Sequence, residues 1–210
     1  MTQAEKIMGA AERAGISAAV KDVESRTAGE IAVIFTDRSD DYPEGSLRAG
    51  VILGSLIAIA VSDLFLGGSL WYAVGLTLIL TLLMDWLGHK VPVVTRPFIS
   101  PSRLDEMVAR RALTAFYDKG LYKTRDKTGV LFFISLFERR VRVMADKGIY
   151  EKITPEELQG YAHGISTGIK NKKTAEALIE EIQAVGLVLT EHFPIKDDDT
   201  NELPDEVVIV

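Results

Sequence analysis

Three acidic residues flank segments that read as strands. Glu30 opens the apolar run EIAVIF, Asp126 precedes GVLFFISL by three positions, and Asp146 follows RRVRVMA. If the first run pairs in parallel with the second, and the third returns antiparallel, all three carboxylates gather at one end of a sheet. Carboxylates grouped in this way suit a hard cation such as Ca²⁺ or Mg²⁺, and Gly129 and Gly148 would let backbone approach closely there. The competing reading is that these are solvated acids at loop mouths and helix starts, with a structural role. At the other end of the strands, Arg139 and Arg140 sit in the turn between the second and third runs.

Other reactive groupings are absent or incomplete. Asp126-Lys127-Thr128-Gly129 matches the start of a phosphoaspartate motif, but that chemistry needs the aspartate at the carboxyl end of a strand. Here Asp126 comes before its strand, and Val130 stands where the motif continues with threonine. No Walker loop, HExxH zinc site or Ser-His-Asp framework is present. His89, His163 and His192 fall on unrelated segments. With no cysteine, thiolate metal sites, disulfides and thiol nucleophiles are excluded. A net charge of −6 argues against a nucleic-acid surface, which needs a basic excess on one face.

What must position these residues is unusual in composition. The chain has 210 residues, of which 47% are apolar and 26% charged, and its mean hydropathy is +0.14. Both features are reconciled if the apolar residues are concentrated. They are: residues 49–66 read AGVILGSLIAIAVSDLFL and residues 70–87 read LWYAVGLTLILTLLMDWL, each with one charge, Asp63 or Asp85. Each segment would make a helix of about 27 Å, enough for the hydrocarbon core of a bilayer. Gly67, Gly68 and Ser69 leave room only for a tight reversal. Both acids lie near segment ends, and Trp71, Tyr72 and Trp86 suit the interfaces. The far turn carries no Lys or Arg, whereas Arg48, Lys90, Arg96 and Arg103 flank the near side, so the positive-inside rule places both termini in the cytoplasm. The N-terminal MTQAEKIMGA lacks the apolar core of a secretion signal, so membrane targeting is expected from within the chain.

The remaining segments read as a soluble α/β domain. A short helix is expected over residues 17–26, capped by Ser17, and residues 30–35 form the first strand. VPVVTRPFISP is proline-broken and is expected to lie irregularly along the membrane interface. Ser102 and Asp105 form a capping box for a helix reaching Asp118, ended by Gly120. GVLFFISL and RRVRVMA make a β-hairpin. Thr154-Pro155-Glu156-Glu157 combines cap, first-position proline and third-position glutamate for a further helix. A last helix covers residues 174–192, before an acidic tail whose VVIV could add a short strand.

The pieces SRTAGEIAVIF, KTRDKTGVLFFISLFERRVRVMADKGI and NELPDE resemble the TPM-domain family, in particular its membrane-inserted bacterial branch. That resemblance implies a small Rossmann-like αβ sandwich, formed discontinuously from residues 1–47 and 90–196. The transmembrane helical hairpin of residues 48–89 is inserted into it, and residues 197–210 form the acidic tail. It also implies a bacterial inner-membrane location with two spans. Family activities include acid phosphatase and calcium binding in some members and assembly roles in others, with a LemA-like membrane protein as a suspected partner; in this chain any Ca²⁺ or Mg²⁺ is expected to bind weakly. The expectation is a non-catalytic assembly or scaffold module in contact with membrane lipids, the alternative being a divalent-metal-dependent phosphatase using Glu30, Asp126 and Asp146. Homo-oligomerisation is left open. Parallel pairing of the first two strands would further place the 138–140 turn beside the bilayer, with Arg139 and Arg140 near lipid headgroups.

Overall fold

A computed structural model describes residues 3–88, 92–195 and 207–209. The chain divides into two units, residues 1–39 with 107–210 and residues 40–106. The second unit is wider than the apolar hairpin of residues 48–89 because it takes in the helix starts that flank it.

The chain opens with α1 (Gln3–Ile7) and α2 (Ala10–Glu24). The latter begins well before Ser17, the expected cap. Glu12 reaches back to accept a 2.7 Å hydrogen bond from the Gly9 amide, which closes the helix start there. Ser17 consequently lies inside the helix, whose Ile16, Ala19, Val20 and Val23 are buried. β1 (Glu30–Thr36) follows, and then the chain enters the second unit.

In that unit α3 (Pro43–Phe65) and α4 (Leu70–Gly88) form the hairpin. Gly67 and Gly68 both take positive φ, +69° and +70°, a left-handed turn that residues with a Cβ rarely adopt. The turn is closed by the Gly68 amide donating to Ser62 O at 2.9 Å and by Ser62 Oγ donating to Ser69 O at 2.8 Å. The buried positions of α3 are all small: Gly45, Ser46, Ala49, Gly50, Gly54, Ala58 and Ser62. A Cβ on Gly50 would stand 3.0 Å from Thr81 Cα, and one on Gly54 3.2 Å from Leu80 Cβ. Close backbone approach and hydrogen bonds join the two helices. Ser46 Oγ supplies one such bond, 2.7 Å to Asp85 Oδ1.

Both helices are long and apolar enough to cross a membrane, with mean hydropathies of 1.8 and 1.7, and only 28% and 6% of their most apolar windows are buried. Large side chains face outward instead, among them Leu64, Leu70, Trp71 and Leu82. After α4, the segment expected to be irregular contains α5 (Pro92–Thr95) and a 3-10 turn (Arg96–Phe98). Arg103 then binds Asp40 at 3.0 Å and Glu44 at 3.1 Å, joining both approaches to the hairpin.

α6 (Pro101–Asp118) starts one residue before the expected Ser102 cap. Ser100 Oγ accepts from the Arg103 amide at 3.3 Å, and Pro101 takes the first position, where its missing N–H costs nothing. Gly120, at φ +76°, ends the helix as expected.

The first unit resumes with β2 (Gly129–Ser135), buried along its whole length, and β3 (Arg140–Ala145). Next come α7 (Lys147–Tyr150), α8 (Pro155–Lys170), α9 (Thr174–His192) and β4 (Val208–Ile209). The Thr154–Glu157 box forms, with the Thr154 amide donating to Glu157 Oε2 at 2.8 Å. Hydrogen bonds from the Thr154 amide and hydroxyl hold the Glu157 carboxyl below its usual range. The sheet order is β3-β2-β1-β4. β1 is parallel to β2 and to β4, and β2 and β3 are antiparallel.

This is the expected αβ sandwich. One sheet face packs Val33, Phe35, Phe132 and Ile134 against α2, α8 and α9. The other packs Ile34, Leu131 and Phe133 against Val108, Ala112 and Phe116 of α6. The NELPDE piece and most of the acidic tail lie outside the described residues.

Replacing Gly50 with leucine should force α3 and α4 apart and cost about 1–3 kcal/mol, as overpacking does. Thermal unfolding in lipid nanodiscs measures this. An unchanged melting temperature would mean that the close helix contact is not what holds the hairpin.

Candidate functional site

The two ends of the parallel strands differ. At the amino end, Glu30 pairs with Gly129 across β1 and β2, and the Asp146 amide donates to Gly129 O at 2.8 Å. Strand alternation puts Glu30 and Gly129 on the face covered by α6. Over Gly129, however, sits the loop preceding β2: an added Cβ would be 2.5 Å from Leu121 O. That backbone lies directly against Gly129.

Each acid has a local setting. Asp146 caps α7, accepting from the Lys147 amide at 2.7 Å. Asp126 Oδ2 lies 3.9 Å from Arg125 Nε. Glu30 is buried, with 7% of its surface exposed. Among the described residues no group of three or more His, Cys, Asp or Glu side chains is placed to hold a metal ion.

The loops at this end are tied by buried threonines. Thr128 Oγ1 donates to Ala28 O at 2.7 Å, the Thr128 amide donates to Thr124 Oγ1 at 3.0 Å, and Thr27 Oγ1 donates to Phe193 O at 2.6 Å. Gly148 fits because a Cβ there would stand 2.7 Å from Lys127 O and 2.8 Å from Asp126 O.

At the carboxyl end, a polar network fastens the exit of β1 to the β2–β3 turn. Glu138 is fully buried. It accepts from the Ser39 amide at 2.8 Å and from Ser135 Oγ. With the Ser135 proton directed to Glu138, Ser39 Oγ is the donor in its 2.9 Å contact with Ser135 Oγ. Arg139 takes a left-handed conformation, φ +53°, at the tip of the turn, and is exposed. Arg140 is half-buried. Glu138 lies in the turn that the sequence reading placed beside the bilayer, and its side chain is buried; the Leu136 carbonyl accepts from the Arg139 amide at 3.2 Å across this tight turn. Asp37 Oδ1 accepts from the Ala4 amide at 2.8 Å and anchors α1 at this end.

Beside the turn lies a cavity of about 370 Å³. Ile7, Ile134, Leu136, Val141 and Ile169 line it with apolar surface, and Arg139, Arg140 and Lys170 add positive charge. Open α/β sheets bind their ligands outside the carboxyl ends of the strands. Sequence reasoning missed this place because its lining comes from α1, the β-hairpin and α8, which are far apart in the chain. The available signal was the Ser-Leu-Phe-Glu-Arg-Arg turn itself, where Ser135 and Glu138 are spaced for a local hydrogen bond.

Residues 87–188 match the family model for the TPM domain. That stretch, just under half of the chain, is similar to the TPM domain. The matched range takes in α6 to α8, nearly all of α9, and the β2–β3 hairpin with both of its ends. The chain is similar in fold to BA42 protein from the psychrophilic bacterium Bizionia argentinensis, determined by NMR, with a TM-score of 0.60 and 19% identity. That similarity covers 97% of this chain and 95% of the other. No curated protein sequence matches it significantly. His163 and His192 are exposed on α8 and α9, and His89 lies outside the described residues.

Replacing Glu138 with alanine strands the Ser39 amide and the Ser135 hydroxyl, at roughly 1–3 kcal/mol for each buried group left unmet. At about 2–4 °C per kcal/mol for a domain of this size, the melting temperature should fall clearly, and Glu138→Gln should recover part of the loss. A Glu138→Ala protein that melts with the wild type would show that the network carries no stability.

Proposed function

We propose that this chain is a membrane-anchored, non-catalytic TPM-domain module that assembles or scaffolds other membrane proteins. The observation that carries the reading is the α3–α4 hairpin: two helices of spanning length pack through small residues and turn their large apolar side chains outward. Water does not favour such a surface, whereas lipid or the spans of another membrane protein would cover it. The location proposed is the bacterial inner membrane, with both termini cytoplasmic, because the basic flanks lie on the domain side of the hairpin. Arg139 and Arg140 are proposed to contact anionic headgroups, worth about 1 kcal/mol each near a membrane surface. A LemA-like membrane protein is the proposed partner class, on the strength of the family resemblance.

The second reading is a phosphatase that uses Ca²⁺ or Mg²⁺ held weakly by Glu30, Asp126 and Asp146. It is supported by the position of these three acids at one end of the sheet. Against it stand the capping role of Asp146 and the Leu121 backbone over Gly129.

Reporter fusions at each terminus should both read cytoplasmic, and a terminus reporting from the other side overturns the orientation. Calcium titrated into the full chain in nanodiscs should raise the melting temperature if the acids bind it, since a ligand specific to the folded state stabilises that state. No shift at millimolar calcium, or a shift that survives Asp126→Ala, removes the metal reading.

A further inference from the structure

The sheet has two edges of different kinds. β4 ends it on one side with two residues, whereas β3 ends it on the other with six. The β2–β3 register is unbroken, from Val130 opposite Ala145 to Ser135 opposite Arg140. The Asp146 amide, donating to Gly129 O at 2.8 Å, fixes the phase of this ladder. Hydrogen-bonded pairs recur at every second position of an antiparallel ladder, so Arg140, Arg142 and Met144 turn their N–H and C=O groups to β2. Val141, Val143 and Ala145 turn theirs the other way, where no strand lies among the described residues.

Edges closed to further pairing are usually short, bulged or broken by proline. β3 has neither bulge nor proline. Its outward N–H and C=O groups form a template for one more strand.

Beside this edge lies the cavity of about 370 Å³. Val141 and its cross-strand neighbour Ile134 line it, together with Ile7 of α1 and Ile169 of α8. In a strand added along β3, the residue opposite Val141 would carry its side chain on the same sheet face as Val141, next to the cavity. The residue opposite Arg142 would fall on the other face, and Arg142 is exposed. Directly opposed side chains on neighbouring strands interact, and opposite charges stabilise the pair. The position facing Arg142 therefore suits an acid, and the position facing Val141 suits an aliphatic residue.

On the membrane-anchored reading, a second copy does not fit this edge. Two β3 strands related by a twofold axis run antiparallel, so the chains leaving β1 would point in opposite directions and could not enter one bilayer. A segment of a different protein carries no such constraint.

We propose that the β3 edge and the cavity together bind an extended segment of a partner protein as a fifth, antiparallel strand, with an aliphatic side chain opposite Val141 entering the cavity and an acidic one opposite Arg142. Main-chain hydrogen bonds to Val141, Val143 and Ala145 supply affinity, and the cavity supplies selectivity. This inference rests on the assembly reading and names the surface by which a partner is held.

The test uses the full chain in phosphatidylcholine nanodiscs and a capped peptide, Val-Thr-Val-Glu-Leu-Thr, whose residues fall in order opposite Ala145 to Arg140. Amide hydrogen exchange, read by NMR, should slow about tenfold or more at Val141, Val143 and Ala145 when the peptide is added, while the amides of α3 and α4 keep their rates. Methylating the peptide nitrogens of the central valine and the leucine leaves the side chains intact and should abolish the protection. Replacing that leucine with alanine, or filling the cavity with Ile169→Trp, should each weaken binding about tenfold, the scale of burying one leucine side chain. No slowing at millimolar peptide overturns the proposal, as does binding that tolerates N-methylation or the alanine peptide equally well. Protection of the three amides that rises with protein concentration without peptide assigns the edge to a second copy and also overturns it. Failure of peptide binding leaves the membrane orientation standing, and a misplaced terminus in the reporter fusions leaves the peptide result standing.

Discussion

Seven residues of β1 pair in parallel with seven of β2, from Glu30 opposite Gly129 to Thr36 opposite Ser135, and the whole second unit lies between them in the chain. Parallel strands cannot be joined by a tight turn, so an intervening crossover is obligatory. In this chain α6 supplies the helical part of that crossover and covers one sheet face with Val108, Ala112 and Phe116. The hairpin can be inserted because the pairing needs a crossover but places no upper limit on its length, and the entropic cost of a longer loop grows only slowly. Everything else in the first unit is built outward from this pair: β3 on the free edge of β2, β4 on the free edge of β1, and α2, α8 and α9 over the remaining face.

A different physical rule governs the hairpin. In the α/β unit, burial of Phe132, Phe133 and Ile134 removes aliphatic and aromatic surface from water, and glycines appear where helices must come close, as Gly186 does against Val23. In α3 the order is reversed. Large side chains face out and small ones face in, so that contact between backbones replaces a hydrophobic core. The polar groups on these helices are satisfied locally, Ser46 with Asp85 and Ser62 with the turn. One chain thus uses two packing rules.

The two ends of the β1–β2 pair have also been used differently. At the amino end threonine hydroxyls, close-fitting glycines and the α7 cap take up the available space and hydrogen-bonding capacity. At the carboxyl end β1 runs on toward the second unit and β2 turns into β3. Polar groups there must find partners among themselves, and Ser39, Ser135 and Glu138 do so. The cavity opens beside that network.

Local physics was enough to read much of this from the sequence. Concentrated apolar runs announced the hairpin, uninterrupted apolar β-branched segments announced β1 and β2, and Thr154 to Glu157 announced a helix start, because each signal depends on neighbours within a few positions. Helix starts without such a signal were misplaced: α2 is closed by Glu12 on Gly9, and α6 by Ser100 ahead of Pro101. The sequence also brought Glu30, Asp126 and Asp146 correctly to one end of the sheet, since strand direction alone decides that. Whether they converge depends on the packing around them, and the Leu121 backbone over Gly129 is a contact that only folding creates. In the same way, the inward turn of Glu138 and the meeting of Ile7, Val141 and Ile169 around one cavity were decided by tertiary structure. Periodicity specifies which face of an element is apolar, whereas a site is made where faces from distant parts of the chain come together.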